Sequence, residues 1–325
     1  MVNKRRQDIV DIRAIAILVV MLGHSIILYS SSWNLYSTNV SCPPLSHLKD
    51  VINVIQMPLF FSVSGFCFLY TIQSSRGFSD FIKAKARRIL VPFFVIGLLW
   101  MYPIRMLVRY PAYQGHSIVY VIFKDIVAGY DNGHLWFLPT LFLMLIVTWI
   151  LNAVVSRRVL FDVLLVMVGV VGLAFFPSGI PYIREFGMYY LYFVIGLLIH
   201  EHEEILRIWT PSFVLWIMVL LTVGLLIAVA MGVRNGMVTK IASLVFVVTC
   251  YRITPNKSNM VMRAISKNSM GMYLFHSPLL YLSFAYWPNI NPWLMFVINF
   301  LGFGLIAYAL TEIMRRLRLS FVIGE

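Results

Sequence analysis

His24 is an ionisable side chain set inside an apolar run, Ala14–Trp33, where a polar group is costly and is normally kept by a partner or a function. Arg13 stands eleven residues before it. Eleven residues rise about 16 Å in a helix, and eleven steps of 100° return to within about 20° of the same face. Arg13, Val20 and His24 therefore form one stripe, with a cation near one end of the helix and an imidazole deep inside it. An imidazole is the usual base for chemistry near neutral pH, and it can also carry an acyl group covalently. Asp11 lies off the stripe, placed to pair with a neighbouring helix.

A second set of polar residues interrupts the apolar segment that begins near Asn268. Ser269, Tyr273 and His276 are spaced i, i+4, i+7 and so share one face, and Pro278 frees backbone carbonyls beside them. His134 opens another span, followed at once by Trp136, as expected of an interfacial belt or of an acceptor-binding mouth. The cluster Lys83, Lys85, Arg87, Arg88 precedes the third span. As bulk charge it marks topology. Lys85 and Arg88, three apart, also face one way near where Arg13 enters, and cations converging from two helices suit a polyphosphate. Ser62 and Ser64, in Pro58-Leu-Phe-Phe-Ser-Val-Ser-Gly65, have no general base near them in sequence and read as helix-packing residues. His47, His116, His200 and His202 are expected in solvated loops.

The elements that must position these groups are transmembrane helices. Of 325 residues, 60% are hydrophobic and only 12% charged, about half the charge of soluble domains, with a mean hydropathy of +0.84. A soluble core would need a polar shell that this composition does not provide, so lipid is the expected solvent. The uncharged runs Ala14–Trp33, Val51–Ser75, Ile89–Ile104, Leu135–Ser156, Val163–Ile183, Phe186–Ile199 and Ile208–Val233 read as spans, with Met237–Tyr251 a weaker one containing Lys240. Asn268–Thr311 is too long for one span, and Pro288 with Pro292 divides it in two. The fold class is thus all-α and polytopic, with about ten transmembrane helices in a single domain over residues 1–325 and no fused soluble domain.

With ten spans and an inside N-terminus, 18 Lys and Arg fall on the cytoplasmic side and 7 outside, Arg13 being inside a span. That bias fits the positive-inside rule, places both termini in the cytoplasm, and accounts for most of the +13 net charge without nucleic acid. The first span lacks a cleavage site and is expected to be retained. Three cysteines without CxxC spacing, Cys42, Cys67 and Cys250, support neither a disulfide framework nor a metal centre, and no metal is expected.

Taken in order, Asp11-Ile-Arg13 with His24, Pro58 through Gly65-Phe, Arg87-Arg88-Ile-Leu-Val-Pro92, His134-Leu-Trp136-Phe-Leu and Ser269 through Tyr273-Leu-Phe-His276-Ser-Pro278 resemble the acyltransferase-3 family of integral membrane O-acyltransferases. The resemblance implies a domain of about ten helices in the cell membrane that uses cytoplasmic acyl-CoA, commonly acetyl-CoA, to modify a carbohydrate of the cell envelope, such as a surface polysaccharide, at the outer face. It assigns catalysis to His24 and donor binding to Arg13 with the basic motif of Lys85, Arg87 and Arg88, while Asp11, His134, Trp136, Tyr273 and His276 support the site or line its acceptor side. The family often carries Arg-x-x-Arg where this chain reads Lys85-Ala-Arg87-Arg88, which leaves open whether Lys85 or Arg87 fills the first place.

The rival reading is a secondary transporter or flippase for a sugar-containing substrate, with intramembrane histidines relaying protons. Outer aromatic residues (Trp33, Tyr36, Tyr113, Tyr130, Trp136) can stack on sugar rings or form the aromatic belt. Neither the acceptor, the acyl chain nor self-association into a homo-oligomer is fixed by the sequence.

Overall fold

The computed structural model describes residues 6–30, 33, 35–74, 77–175, 179–233 and 235–325, with no side-chain placement for residues 73, 74, 207 and 209. Of the charges used above for topology, Lys4, Arg5, Arg76 and Arg234 lie outside the described residues. Every regular element among the described residues is helical. The long ones, in chain order, are α1 (Gln7–Ser25), α2 (Pro43–Phe66), its short continuation α3 (Phe68–Ser74), α4 (Phe78–Leu107), α5 (Gly133–Val154), α6 (Arg158–Phe175), α7 (Ile183–Glu201), α8 (Ser212–Ala230), α9 (Gly236–Ile253), α10 (Met260–Tyr286) and α11 (Pro292–Arg316).

Seven of these are long and apolar enough to cross a membrane: Pro43–Ile72 across α2 and α3, then α4, α5, α6, α8, α9 and α11. The break between α10 and α11 falls at Trp287–Asn291, where Pro288 and Pro292 predict it. The expected ten spans include α1, α7 and α10, of 19, 19 and 27 residues, which are long enough but too polar to rank with the seven. Their polarity has a structural cause. α1 packs on α2 and α10, α7 packs on α2 and α6, and α10 packs on α1 and α11, so these helices face protein around most of their circumference. A helix facing protein can carry polar groups that a lipid-facing helix cannot. At the other extreme, only 11% of α8 is buried, against 61% of the Pro43–Ile72 span, which makes α8 peripheral and α2 central.

α2 and α7 cross with their backbones in contact. A Cβ on Gly65 would stand 1.8 Å from the Phe193 carbonyl oxygen, and one on Gly196 would stand 1.8 Å from that of Ser62. Glycine at both sites lets the backbones touch, the usual device where helices meet in lipid.

α4 is not a uniform helix. Two wide, π-type turns, Ala86–Leu90 and Gly97–Met101, lie just ahead of Pro92 and Pro103, which lack the N–H that the carbonyls four residues back would use. The first of these turns carries Arg87 and Arg88, and so sets where the basic cluster points.

Gly65→Ala and Gly196→Ala each force a methyl group into opposing backbone and should lower stability by about 1–3 kcal/mol, read as a lower thermal midpoint of the purified protein in detergent. Gly224→Ala on peripheral α8, where a Cβ meets nothing within 4 Å, should leave the midpoint unchanged or higher.

Candidate functional site

α1 and α10 bring two imidazoles to the same level. His276 Nδ1 lies 2.8 Å from the Met272 carbonyl oxygen one turn back on its own helix, and donates to it. With that ring neutral, Nε2 is its lone pair, and His24 Nδ1, 2.9 Å away, must be the donor. These two bonds fix the tautomer of His24: N–H on Nδ1 toward His276, and the lone pair on Nε2. The rings are nearly parallel, 12° apart with centroids at 5.2 Å. His276 is buried, whereas His24 is half-buried because it lines a cavity.

His134 joins them through a defect in α10. Pro278 has no N–H, so the carbonyl of Leu274 loses its helical partner, and His134 Nε2, 3.3 Å away, donates to it. The Tyr273 hydroxyl donates to the backbone carbonyl of His134. His134 Nδ1 is buried and has no hydrogen-bond partner among the described residues. Ring centroids lie 6.4 Å from His134 to His24 and 5.7 Å from His134 to His276. The three histidines, with Tyr273, are thus one cluster drawn from α1, the start of α5, and α10.

The cluster separates two cavities. One, of about 340 Å³ and called outer after the side that the topology expected from sequence gives it, is lined by His24 and His134 together with Trp33, Trp136, Asp131 and Glu185 among others. The inner one, of about 160 Å³, is lined by Arg13, Ser64, Ser269, Phe60 and Phe137 among others. Along α1 the lining passes from Arg13 and Ala16 to His24, and along α10 from Ser269 and Met270 to Ser277. Between them Phe60, Phe137 and Tyr273 form an aromatic layer, with centroids 4.8, 5.6 and 5.9 Å apart. The Arg13–His24 stripe therefore connects the two chambers, and the Ser269–Tyr273–His276 face runs parallel to it.

Each remaining expected residue has a definite place. Arg13 Nη2 is 3.3 Å from Cys67 Sγ, and Lys85 Nζ donates to Thr71 Oγ1 at 3.0 Å. Both cations thus meet one helical turn at the α2–α3 junction. Lys85 is half-buried there, whereas Arg87 and Arg88 are exposed, and Arg88 Nε donates to the Gly324 carbonyl at 3.3 Å. Lys85 thus reaches the turn that Arg13 also meets, and Arg87 is exposed. Asp11 is buried and accepts a hydrogen bond from Ser258, so it ties α1 to the segment before α10 and lines neither cavity. Trp136 is a wall of the outer cavity and stacks on Tyr189 at 5.6 Å. Ser62 and Ser64 donate to carbonyls of their own helix.

Three of the loop expectations are corrected. His47 lies in α2, where it is exposed. His200 is half-buried, stacks on Phe66 at 4.4 Å and lies 2.6 Å from its carbonyl, and His202 pairs with Asp162 at 2.9 Å. Asp162, Glu201 and His202 hold ligand-type atoms within 4.8 Å of one another. Arg158, however, bonds both carboxylate oxygens of Glu201, so a guanidinium already balances this charge.

Arg105 and Lys49, two of the seven cations that the expected topology puts outside, are buried. Arg105 is fully enclosed and lines the outer cavity. It donates to Tyr113 (2.9 Å), Tyr281 (2.7 Å) and the Asp131 carbonyl (2.8 Å), and pairs with the Asp131 carboxylate at 3.2 Å. Tyr113, in the loop after α4, has its hydroxyl pushed up to about 12 by burial, so it stays protonated beside the cation. A Cβ on Gly133, where φ is +58°, would come within 2.8 Å of Arg105 Nη2, so the residue before His134 must be small and left-handed. Lys49 is 2% exposed and lies against Gly23 and Gln56, one residue before His24 on α1.

The helices and the site define a polytopic membrane protein with an imidazole cluster between two chambers. A family profile described as an acyltransferase domain matches residues 9–312, nearly the whole chain, and the chain belongs to the acyltransferase-3 family. No curated protein and no solved structure matches it.

His276→Ala leaves His24 Nδ1 without its acceptor and frees the wrong tautomer. Acyl transfer should fall by roughly 10²–10⁴-fold, the scale seen when a catalytic imidazole loses the partner that orients it, with the thermal midpoint retained. Wild-type rates in a folded His276→Ala protein would contradict the tautomer assignment.

Proposed function

We propose that the protein moves an acyl group, acetyl in the simplest case, from cytoplasmic acyl-CoA to a hydroxyl of a cell-surface or lipid-linked carbohydrate at the outer face of the cell membrane. His24 is the group that acts on the acyl carbon or on the hydroxyl proton. The observation that carries this reading is the single helix α1, which places Arg13 on the inner cavity and His24 on the outer one.

In this reading α1, α7 and α10 span the membrane with the seven more apolar helices, both termini are cytoplasmic, and the inner cavity opens to the cytoplasm. Arg13 and Lys85 hold the donor's phosphates, with the exposed Arg87 and Arg88 adding charge at the rim. The donor's slender arm passes the Phe60–Phe137–Tyr273 layer, which must part for the thioester to reach His24. On the other side, flat aromatic faces (Trp33, Trp136, Tyr130) and the carboxylates of Asp131 and Glu185 are the groups that stack on sugar rings and accept from sugar hydroxyls. His24 lines this chamber, and in this reading its Nε2 lone pair serves as the base or nucleophile for acyl transfer.

Two opposed chambers with a closed layer between them are also the plan of a carrier, and this favours a transporter or flippase as the second reading. Purified protein in proteoliposomes separates the two. Saturable acyl-CoA consumption supports the enzyme, whereas proton-coupled sugar flux without acyl transfer would replace it with the carrier.

His24→Ala should abolish acyl transfer while the protein still inserts and folds; near-normal acylation of surface glycans in cells carrying that variant sinks the assignment. Lys85→Ala should raise KM for acyl-CoA with less effect on kcat, and Arg87→Ala should change KM much less. An equal response from the two variants would remove Lys85 from its place opposite Arg13.

A further inference from the structure

We infer that His134 is a second catalytic base, which takes the proton of the acceptor hydroxyl while His24 carries the acyl group. The inference rests on the acyltransferase reading above and divides its chemistry between two rings.

The hydrogen bonds make the two imidazoles unlike. His24 has its Nδ1 proton committed to His276, and the Met272 carbonyl holds His276 in turn. A base held this way can lose its Nδ1 proton to His276 when Nε2 forms a bond to carbon. His134 has its Nε2 proton committed to the Leu274 carbonyl, a neutral acceptor that Pro278 has released. A carbonyl cannot take up a proton, so His134 has no relay behind it and is suited to accept one at Nδ1. That nitrogen is buried without a partner among the described residues, a state that is costly unless a ligand completes it. Arg105 Nε is likewise buried without a partner among the described residues. Both residues line the outer chamber, and a hydroxyl is the group that can give to a lone pair and accept from an N–H.

The balanced sequence has two steps. His24 Nε2 attacks the thioester carbonyl carbon, an N–C bond forms, the C–S bond breaks, and CoA leaves as a thiolate. The Nδ1 proton of His24 passes to His276 Nε2, which leaves a neutral acyl-imidazole. The acceptor oxygen then attacks the acyl carbon, its proton passes to His134 Nδ1, the N–C bond breaks, and His276 returns its proton to His24 Nδ1. His134 finally releases its proton through the outer chamber, and solvent on the inner side protonates the thiolate. The net change is thioester plus alcohol to ester plus thiol.

The test uses the full-length protein in detergent with acetyl-CoA, water as the hydroxyl acceptor, and hydroxylamine as an acceptor nucleophilic enough to need no base. His134→Gln is the informative variant, because its amide nitrogen can still donate to Leu274 while nothing replaces the Nδ1 lone pair. Wild type should release a burst of about one CoA per protein, then turn over slowly to water. His134→Gln should keep the burst, lose steady turnover by about 100-fold or more, the usual scale of a general base, and recover turnover when hydroxylamine is added. A variant that hydrolyses acetyl-CoA at the wild-type rate, or that loses the burst along with turnover while keeping its thermal midpoint, overturns the division of labour. A wild-type protein that turns over acetyl-CoA without a burst also overturns it but leaves the acyltransferase reading standing. No consumption of any acyl-CoA by wild type defeats the acyltransferase reading itself.

Discussion

The contact between His24 Nδ1 and His276 Nε2 is the interaction on which the rest of the site depends. It joins α1 to α10 at the level where the two chambers meet, and it decides which nitrogen of His24 is left with a lone pair. In water such a bond is worth little. In a protein interior a half-satisfied arrangement is costly. The surrounding structure is arranged to keep the pair in register: Met272 holds the far ring, Tyr273 ties α10 to the backbone of His134, and Pro278 frees the Leu274 carbonyl that holds His134 in place.

The polar helices and the apolar ones divide the work. α8 and the other lipid-facing spans provide thickness and solvation, while α1, α7 and α10 sit inside and can carry the ionisable groups. The glycine contacts between α2 and α7 bring the inner helices close enough for this arrangement, and the wide turn ahead of Pro92 sends Arg87 and Arg88 outward while Lys85 reaches Thr71.

Much of this was legible in the sequence because the cost of burying an ionisable group in lipid is a local property. His24, Arg13 and His276 stand out in their apolar runs, and helical periodicity alone places Arg13 with His24 and Ser269 with Tyr273 and His276. The helix break at Pro288 and Pro292 was readable for the same reason. The different surroundings of Lys85 and Arg87 were not, because a π-type turn from Ala86 changes the register that simple spacing assumes. Arg105 was read as an outer charge because its partners Asp131 and Tyr281 lie 26 and 176 residues away, and only the folded bundle encloses it. Asp11, which periodicity turns off the Arg13–His24 stripe toward a neighbouring segment, meets Ser258 there.

The tautomer of His24 is the central physical claim, and nitrogen NMR of protein labelled with ¹⁵N-histidine in detergent reads it directly. The expected spectrum has His24 protonated at Nδ1 and bare at Nε2, with a scalar coupling through the hydrogen bond to an unprotonated Nε2 of His276, and this coupling disappears in His276→Ala. A His24 protonated at Nε2, or one with no coupling to His276 in the folded protein, would contradict the account.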